Sequence, residues 1–390
     1  MKGEIIFVAG GPWQKPFLMY LKNKGHFVSV VNPTITETTL IADYHIKCDV
    51  NDIDKINNYI KKTKPIFITS DQSDISTFAV SQLSEKWGLP GNNTEVIQKF
   101  TNKYSIYNFA KSIKINVPET KIVQSHKDIE AFAHVHGLPV IIKPTDATMS
   151  RGFRKIESLN EIDQDLFNES VQFSKSKQVI VQKFISGDMV TLEGVCSESK
   201  HKTLATSKKD ETKYFKPGIN SNLRYPSKLS QELLNEICQA NDTYVEKSGM
   251  KLGLTHSEYI INEKGYWLIE IGARGGGAGI ADKIVPWVSG VNTYEIFYQS
   301  LIGETIDVKK LKPLERCALL QYYTKEEMKN CSEEKAKVIS NINGVASFHY
   351  NFIGKQYIKD LNDNRHSMGI YLGQSDLDID QITENVKSKI

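Results

Sequence analysis

Residues 252–279 read LGLTHSEYIINEKGYWLIEIGARGGGAG. Two runs rich in β-branched and aromatic residues, 254–261 and 266–272, flank Asn262-Glu263-Lys264-Gly265, the pattern of a β-hairpin. A three-residue loop, Glu263-Lys264-Gly265 with Gly265 in the left-handed region, sets residue 258 opposite residue 270. A loop of two or four residues sets them on opposite faces. In the first case two glutamates face each other, a destabilising pairing that asks for a cation between them. Carboxylate oxygens suit Mg²⁺, which takes one or two from protein and borrows the rest from phosphate. In the second case both acids are solvated. Ile269 and Ile271 around Glu270 favour a largely buried strand. Arg274 follows, then Gly275, Gly276 and Gly277, whose bare backbone N–H groups suit close approach to an anion.

The rest of the chain narrows the setting. Its 390 residues suffice for two or three domains. A charged fraction of 24% and a net charge of +3 give no ground for nucleic-acid or membrane binding. No apolar run approaches the roughly 20 residues of a membrane span, and residues 4–9 enter a strand without a signal-peptide layout. Cys48, Cys196, Cys238, Cys317 and Cys331 are scattered, with no CxxC, as reduced thiols of a cytoplasmic protein would be. Of 49 basic residues only six are arginine. An arginine kept against that bias suits bidentate anion binding, and Arg151 and Arg274 both adjoin glycines.

From residue 4 to 98 strands and helices alternate, which predicts a parallel sheet covered by helices. Gly10-Gly11-Pro12 lacks the third glycine of a dinucleotide fingerprint and reads as a tight strand-to-helix turn beside a small-molecule pocket. A helix begins at Glu95 behind a Thr94 cap, and a second spans 103–112. Residues 120–184 form a compact α+β unit of a mobile lid, in which strand 139–143 runs into the small-residue loop TDATMSRG (145–152). Ser230 caps an amphipathic helix ahead of the hairpin, and an α+β segment follows Gly303.

These pieces resemble an ATP-grasp enzyme in order and spacing, over nearly the whole chain. Val140-Ile141-Ile142-Lys143-Pro144 with Ser150-Arg151-Gly152 is similar to that family's phosphate strand and lid loop. Residues 179–187, VIVQKFISG, are similar to its adenine hinge, and Glu258 with 270–277 to its paired magnesium ligands and anion site. Within the family, EIGARGGG (270–277) and Arg365 before Ser367-Met368-Gly369 are most similar to the L-amino acid ligases. The biotin carboxylase and phosphoribosylaminoimidazole carboxylase group is also similar. The resemblance implies a mixed α/β and α+β fold: a Rossmann-like domain (1–98), an ATP-grasp domain (99–302) with a lid at about 118–182, and a C-terminal segment (303–390) completing an antiparallel core.

It also implies roles. Lys103 and Lys143 grip the triphosphate of ATP, with Ser150, Arg151 and Gly152 closing over it. Gln182 and the backbone of Lys183, Phe184 and Ile185 read the adenine, Ile260 packs beneath the ring, and Asp188 is the candidate for the ribose, since Met189 stands where the family has an acid. Glu258 and Glu270 hold Mg²⁺, with Mn²⁺ as the alternative metal. Gly272, in place of an asparagine, leaves the second metal short of ligands. Arg274, Gly276 and Gly277 meet the substrate, and His201 and His256 are structural. The implied reaction joins a small carboxylate to an amine through an acyl phosphate, in a homodimer. A carboxylase or formyltransferase acting on bicarbonate or formate, and a non-catalytic nucleotide sensor, stay open.

Overall fold

A computed structural model describes residues 3–147, 151–210, 222–352 and 365–390. Four short strands form the first sheet: β1 Glu4–Val8, β2 Phe27–Val31, β3 Tyr44–Ile46 and β4 Phe67–Thr69. They run parallel in the order β3-β2-β1-β4. Their apolar residues alternate between two cores, as burial on both faces requires. Ile5, Phe7, Val28 and Val30 pack with Phe17, Leu18 and Leu21 of helix Lys15–Asn23. Ile6, Val8, Val31 and Ile68 pack on the other side with Ile56, Ile60 and Leu83.

A four-stranded antiparallel sheet follows, with β5 Thr120–Val123, β6 Val140–Pro144, β7 Arg154–Ile156 and β8 Val179–Lys183 in the order β5-β8-β6-β7. Val140, Ile142, Val179 and Val181 bury one face with Ile129 and Phe132 of helix His126–His136.

The largest sheet comprises β9 Asp188–Ser197, β10 Lys200–Asp210, β11 Asn222–Tyr225, β12 Gly253–Asn262, β13 Gly265–Gly272, β14 Cys317–Thr324, β15 Val345–His349 and β16 Arg365–Gly373. These eight described strands are antiparallel in the order β13-β12-β9-β10-β11-β14-β16-β15. Val190, Leu192, Tyr259, Leu268 and Ile271 bury one face with Tyr244 of helix Gln231–Ser248 and Tyr107 of helix Lys103–Ser112. At the far end, Leu223, Tyr225, Leu320, Met368 and Ile370 join the core that also holds Ile280 and Ile284. That core reaches into the first sheet, where Phe17 stacks on Phe297 with ring centroids 5.2 Å apart.

Strands β9 to β11 are elements that the sequence pattern did not disclose, and they carry Asp188, Glu193 and Lys209. Asn93, not Thr94, caps the helix Thr94–Thr101, its side chain accepting from Val96 N at 2.9 Å. No helix among the described residues is long and apolar enough to cross a membrane.

Candidate active site

The β12–β13 hairpin turns in two residues, Glu263-Lys264, because Asn262 pairs with Gly265. Of the loop lengths that the sequence left open, the structure has the two-residue one. Gly265 has φ +122°, in the positive region where glycine is strain-free. Such a loop by itself would put residues 258 and 270 on opposite faces. A β-bulge reverses this: Tyr259 pairs with Leu268 and Glu258 with Glu270, so Ile269 is the extra residue. The bulge keeps Tyr266, Leu268 and Ile271 in the core while Trp267 and Glu270 turn to the other side. Tyr107, fully buried on its helix, pins the bulge by donating its hydroxyl to Ile269 O at 2.7 Å.

Cations from four elements surround the two carboxylates. Lys209, buried near the end of β10, lies 2.6 Å from Glu258 Oε1, and His256 Nε2 lies 3.5 Å from the same oxygen. Burial alone would raise the Glu258 pKa, but Lys209 and His256 overcome it and hold the carboxyl well below the usual range. Lys103 Nζ is 3.8 Å from Glu270. Lys143, buried at the end of β6, donates to the Tyr107 hydroxyl at 2.8 Å. Burial lowers its pKa to about 8, against the opposing pull of Glu270 and Glu258. His256 stands among these groups. Its Nδ1 meets Glu193 at 2.5 Å, and although burial disfavours its charge, Glu193 and Glu258 raise its pKa to about 9. His201, by contrast, is buried between Asp242 and Thr255, away from these groups.

Among the described residues no three His, Cys, Asp or Glu side chains gather as a metal cage. Two opposed carboxylates ringed by lysines are nonetheless a donor set that fits Mg²⁺ shared with phosphate oxygens, since such a site takes only one or two protein carboxylates.

The small sheet and strands β9 and β12 carry most of the other predicted residues. Lys103 N donates to Thr145 O and its Nζ to Ala147 O, both at 2.8 Å, which ties the loop after β6 to the helix start. Ser150 lies outside the described residues, and Arg151 is exposed. Gly152 has φ +70°, and a Cβ there would stand 2.8 Å from Pro144 Cγ, so the loop needs glycine at this point. Gln182 is buried, and its Nε2 donates to Thr120 Oγ1 at 3.0 Å. Lys183 N donates to Glu119 O at 2.9 Å and Phe184 N to Pro139 O at 3.2 Å. Those two N–H groups are therefore engaged by the chain itself, leaving their carbonyls and Ile185 for any base edge. Ile260 lies half-buried on the Glu258 side of β12, in register with Met189. Asp188 is exposed and bonds Lys208 at 2.8 Å.

Arg274 is not a free clamp. Its Nε and Nη2 hold the two carboxylate oxygens of Asp74 at 2.6 and 2.8 Å, and its Nη1 donates to Gly275 O at 3.1 Å. Asp74 opens the helix Asp74–Trp87 behind the first sheet. Gly276 N does meet a carboxylate, but it is that of Glu193, at 3.2 Å. Gly275 N donates to Asp71 O at 2.8 Å, while Gly277 has open space about it. Of the residues missed by sequence, Glu193 carried a readable signal: an acid within the apolar run MVTLEGVC, as for Glu270. Lys209, one lysine among many, carried none.

Residues 136–282 match the ATP-grasp domain family. Among curated proteins, the chain is similar to a formate-dependent phosphoribosylglycinamide formyltransferase of Prochlorococcus marinus, 24% identical over 48% of this chain and 49% of that protein. It is also similar to a D-alanine–D-alanine ligase of Azobacteroides pseudotrichonymphae, 27% identical over 42% of this chain and 52% of the other. The chain thus spans about half the length of these relatives. Among solved structures, the L-amino acid ligase of Bacillus licheniformis superposes with TM-score 0.80 over 100% of this chain and 98% of the other, at 14% identity. The N5-carboxyaminoimidazole synthetase of Staphylococcus aureus with ADP gives 0.77 over 99% and 97%, at 16%. The fold is that of the ATP-grasp proteins, and this chain carries an ATP-grasp domain.

Proposed function

We propose that the protein is an ATP-dependent ligase that activates a carboxylate as an acyl phosphate and joins it to an amine, releasing ADP and phosphate. The observation that carries this reading is the Glu258–Glu270 pair on one sheet face, encircled by Lys103, Lys143, Lys209 and His256. Glu258 and Glu270 would hold Mg²⁺, which when bound supplies charge neutralisation at the phosphates. Lys103 and Lys143 hold the triphosphate, and the loop of Ser150, Arg151 and Gly152 covers it from the lid at about 118–182. Gln182, with the carbonyls of Lys183 and Phe184 and the backbone of Ile185, lines the adenine edge above Ile260, and Asp188 stands nearest the ribose.

A substrate carboxylate oxygen attacks the γ-phosphorus, the bond to ADP breaks, and an amine nitrogen then displaces phosphate from the acyl carbon, losing a proton. This needs positioning and charge stabilisation but no enzyme nucleophile. Arg274 has five N–H donors, and the bonds to Asp74 and Gly275 use three of them. The other two, with Gly277 N–H and the loop fixed through Gly276, face the substrate carboxylate. Asp74 acts as the positioning residue.

The test is an ADP-release screen of amino acids and small acids in pairs, with and without Mg²⁺, beside Glu270→Gln. Loss of at least ~100-fold in Glu270→Gln is expected from removing preorganised charge stabilisation, and full activity in that variant would overturn the reading. The formyltransferase relative supports a second reading, with formate or bicarbonate as the acid. Release of ADP with those acids alone would decide for it.

A further inference from the structure

Just beyond β4 stand two buried polar side chains that the proposed reaction does not use: Asp71, 1% exposed, and Gln72, 9% exposed. Gln72 Nε2 donates to Trp13 O and to Asp71 Oδ2, both at 2.8 Å, and lies 3.1 Å from the Tyr294 hydroxyl. That hydroxyl donates to Asp71 Oδ2 at 2.9 Å. These contacts fix the amide, because turning it would set its carbonyl oxygen against Trp13 O and Asp71 Oδ2. Asp71 Oδ1 and Gln72 Oε1 are thereby left buried with no donor. Adjacent residues with unmet buried acceptors point to a missing donor, since native chains rarely leave such groups unpaired.

The surroundings say which donor. Burial raises the Asp71 carboxyl to about 7, and Asp282 adds like charge from close by. Lys283 on the neighbouring turn lies 3.3 Å from Asp282 and is engaged there, and His349 nearby is held toward its neutral form by burial. A cationic donor would satisfy both oxygens and also stabilise the charged form of Asp71 against burial. The cluster also lies beside the proposed reaction centre, because Asp71 O accepts from Gly275 N next to Arg274.

We propose that Asp71 and Gln72 form a subsite for a substrate ammonium group, which donates to Asp71 Oδ1 and Gln72 Oε1 with Asp282 adding negative potential. It rests on the ligase reading, and it makes the substrate an amine-bearing molecule such as an amino acid. The experiment is a thermal-shift titration of the full chain with the standard L-amino acids and ethanolamine, each beside its counterpart lacking the amino group. At least one ammonium compound shifts the melting curve where its counterpart does not. Asp71→Asn raises the half-saturating concentration at least tenfold, while the ATP titration stays as in wild type and shows that the variant is folded. Gln72→Met, close in volume and lacking the Oε1 acceptor, weakens the same response while the ATP titration again stays as in wild type. The subsite is overturned if no ammonium compound is distinguished from its counterpart, or if Asp71→Asn responds as wild type does. ADP release is scored separately: its absence with every pair, beside intact ammonium discrimination, sinks the ligase reading and leaves the subsite standing.

Discussion

Replacing His256 by glutamine should remove a stability term that depends on pH. The imidazole stands between Glu193, at 2.5 Å, and Glu258, at 3.5 Å. Burial opposes its charge, but the two carboxylates prevail and raise its pKa from the ordinary ~6.5 to about 9. A histidine whose pKa is raised on folding contributes stability that is fully present below the unfolded pKa. That stability is lost as pH rises through the folded pKa. The window here runs from ~6.5 to about 9, and at ~1.36 kcal/mol per tenfold change in proton affinity it spans ~3 kcal/mol. Lys143 titrates in an overlapping range, with a pKa lowered to about 8. It is present in both proteins, so its contribution largely cancels in the difference. Urea unfolding of wild type and His256→Gln at about pH 6, 7.5 and 9.5 measures that difference. The wild-type advantage should shrink by ~3 kcal/mol from the lowest pH to the highest. A gap that is the same at every pH would refute the charged His256 and the anionic environment inferred around it.

Three other outcomes follow from the same geometry. Tyr107→Phe leaves Ile269 O without its donor and the Lys143 ammonium without an acceptor. It should cost ~2 kcal/mol in urea unfolding and raise the KM for ATP, and wild-type values for both would show that the bulge needs no anchor. Lys209→Met breaks the buried pair with Glu258 and should destabilise by ~3–5 kcal/mol. Glu258→Gln should recover part of that loss, so a strictly additive double-mutant cycle would contradict the pairing. Asp74→Asn releases the Arg274 guanidinium. Steady-state kinetics should then show weaker use of the carboxylate substrate with the KM for ATP unchanged, whereas an effect on ATP alone would move Arg274 to the nucleotide side.

Local pattern alone determined a good deal. The alternation of strands and helices from residue 4 to 98 announced a parallel sheet covered by helices, and the first sheet is parallel throughout. The two β runs of residues 254–272 were legible from side-chain type, and a Glu258–Glu270 pairing was legible as one of two alternatives. The route to that pairing was not. A two-residue turn and a bulge replaced the three-residue loop, because the extra residue Ile269 is accommodated by a tertiary contact with Tyr107. The partners of the charges were equally illegible. Arg274 finds Asp74 across 200 positions, Gly276 finds Glu193 across 83, and Lys209 reaches Glu258 across 49. Periodicity tells which side of a strand a residue occupies, but not which strand lies beside it. Only the order β13-β12-β9-β10 puts Lys209 and Glu193 within reach of the glutamates, and only the docking of the first sheet brings Asp74 and Asp71 to the glycine run.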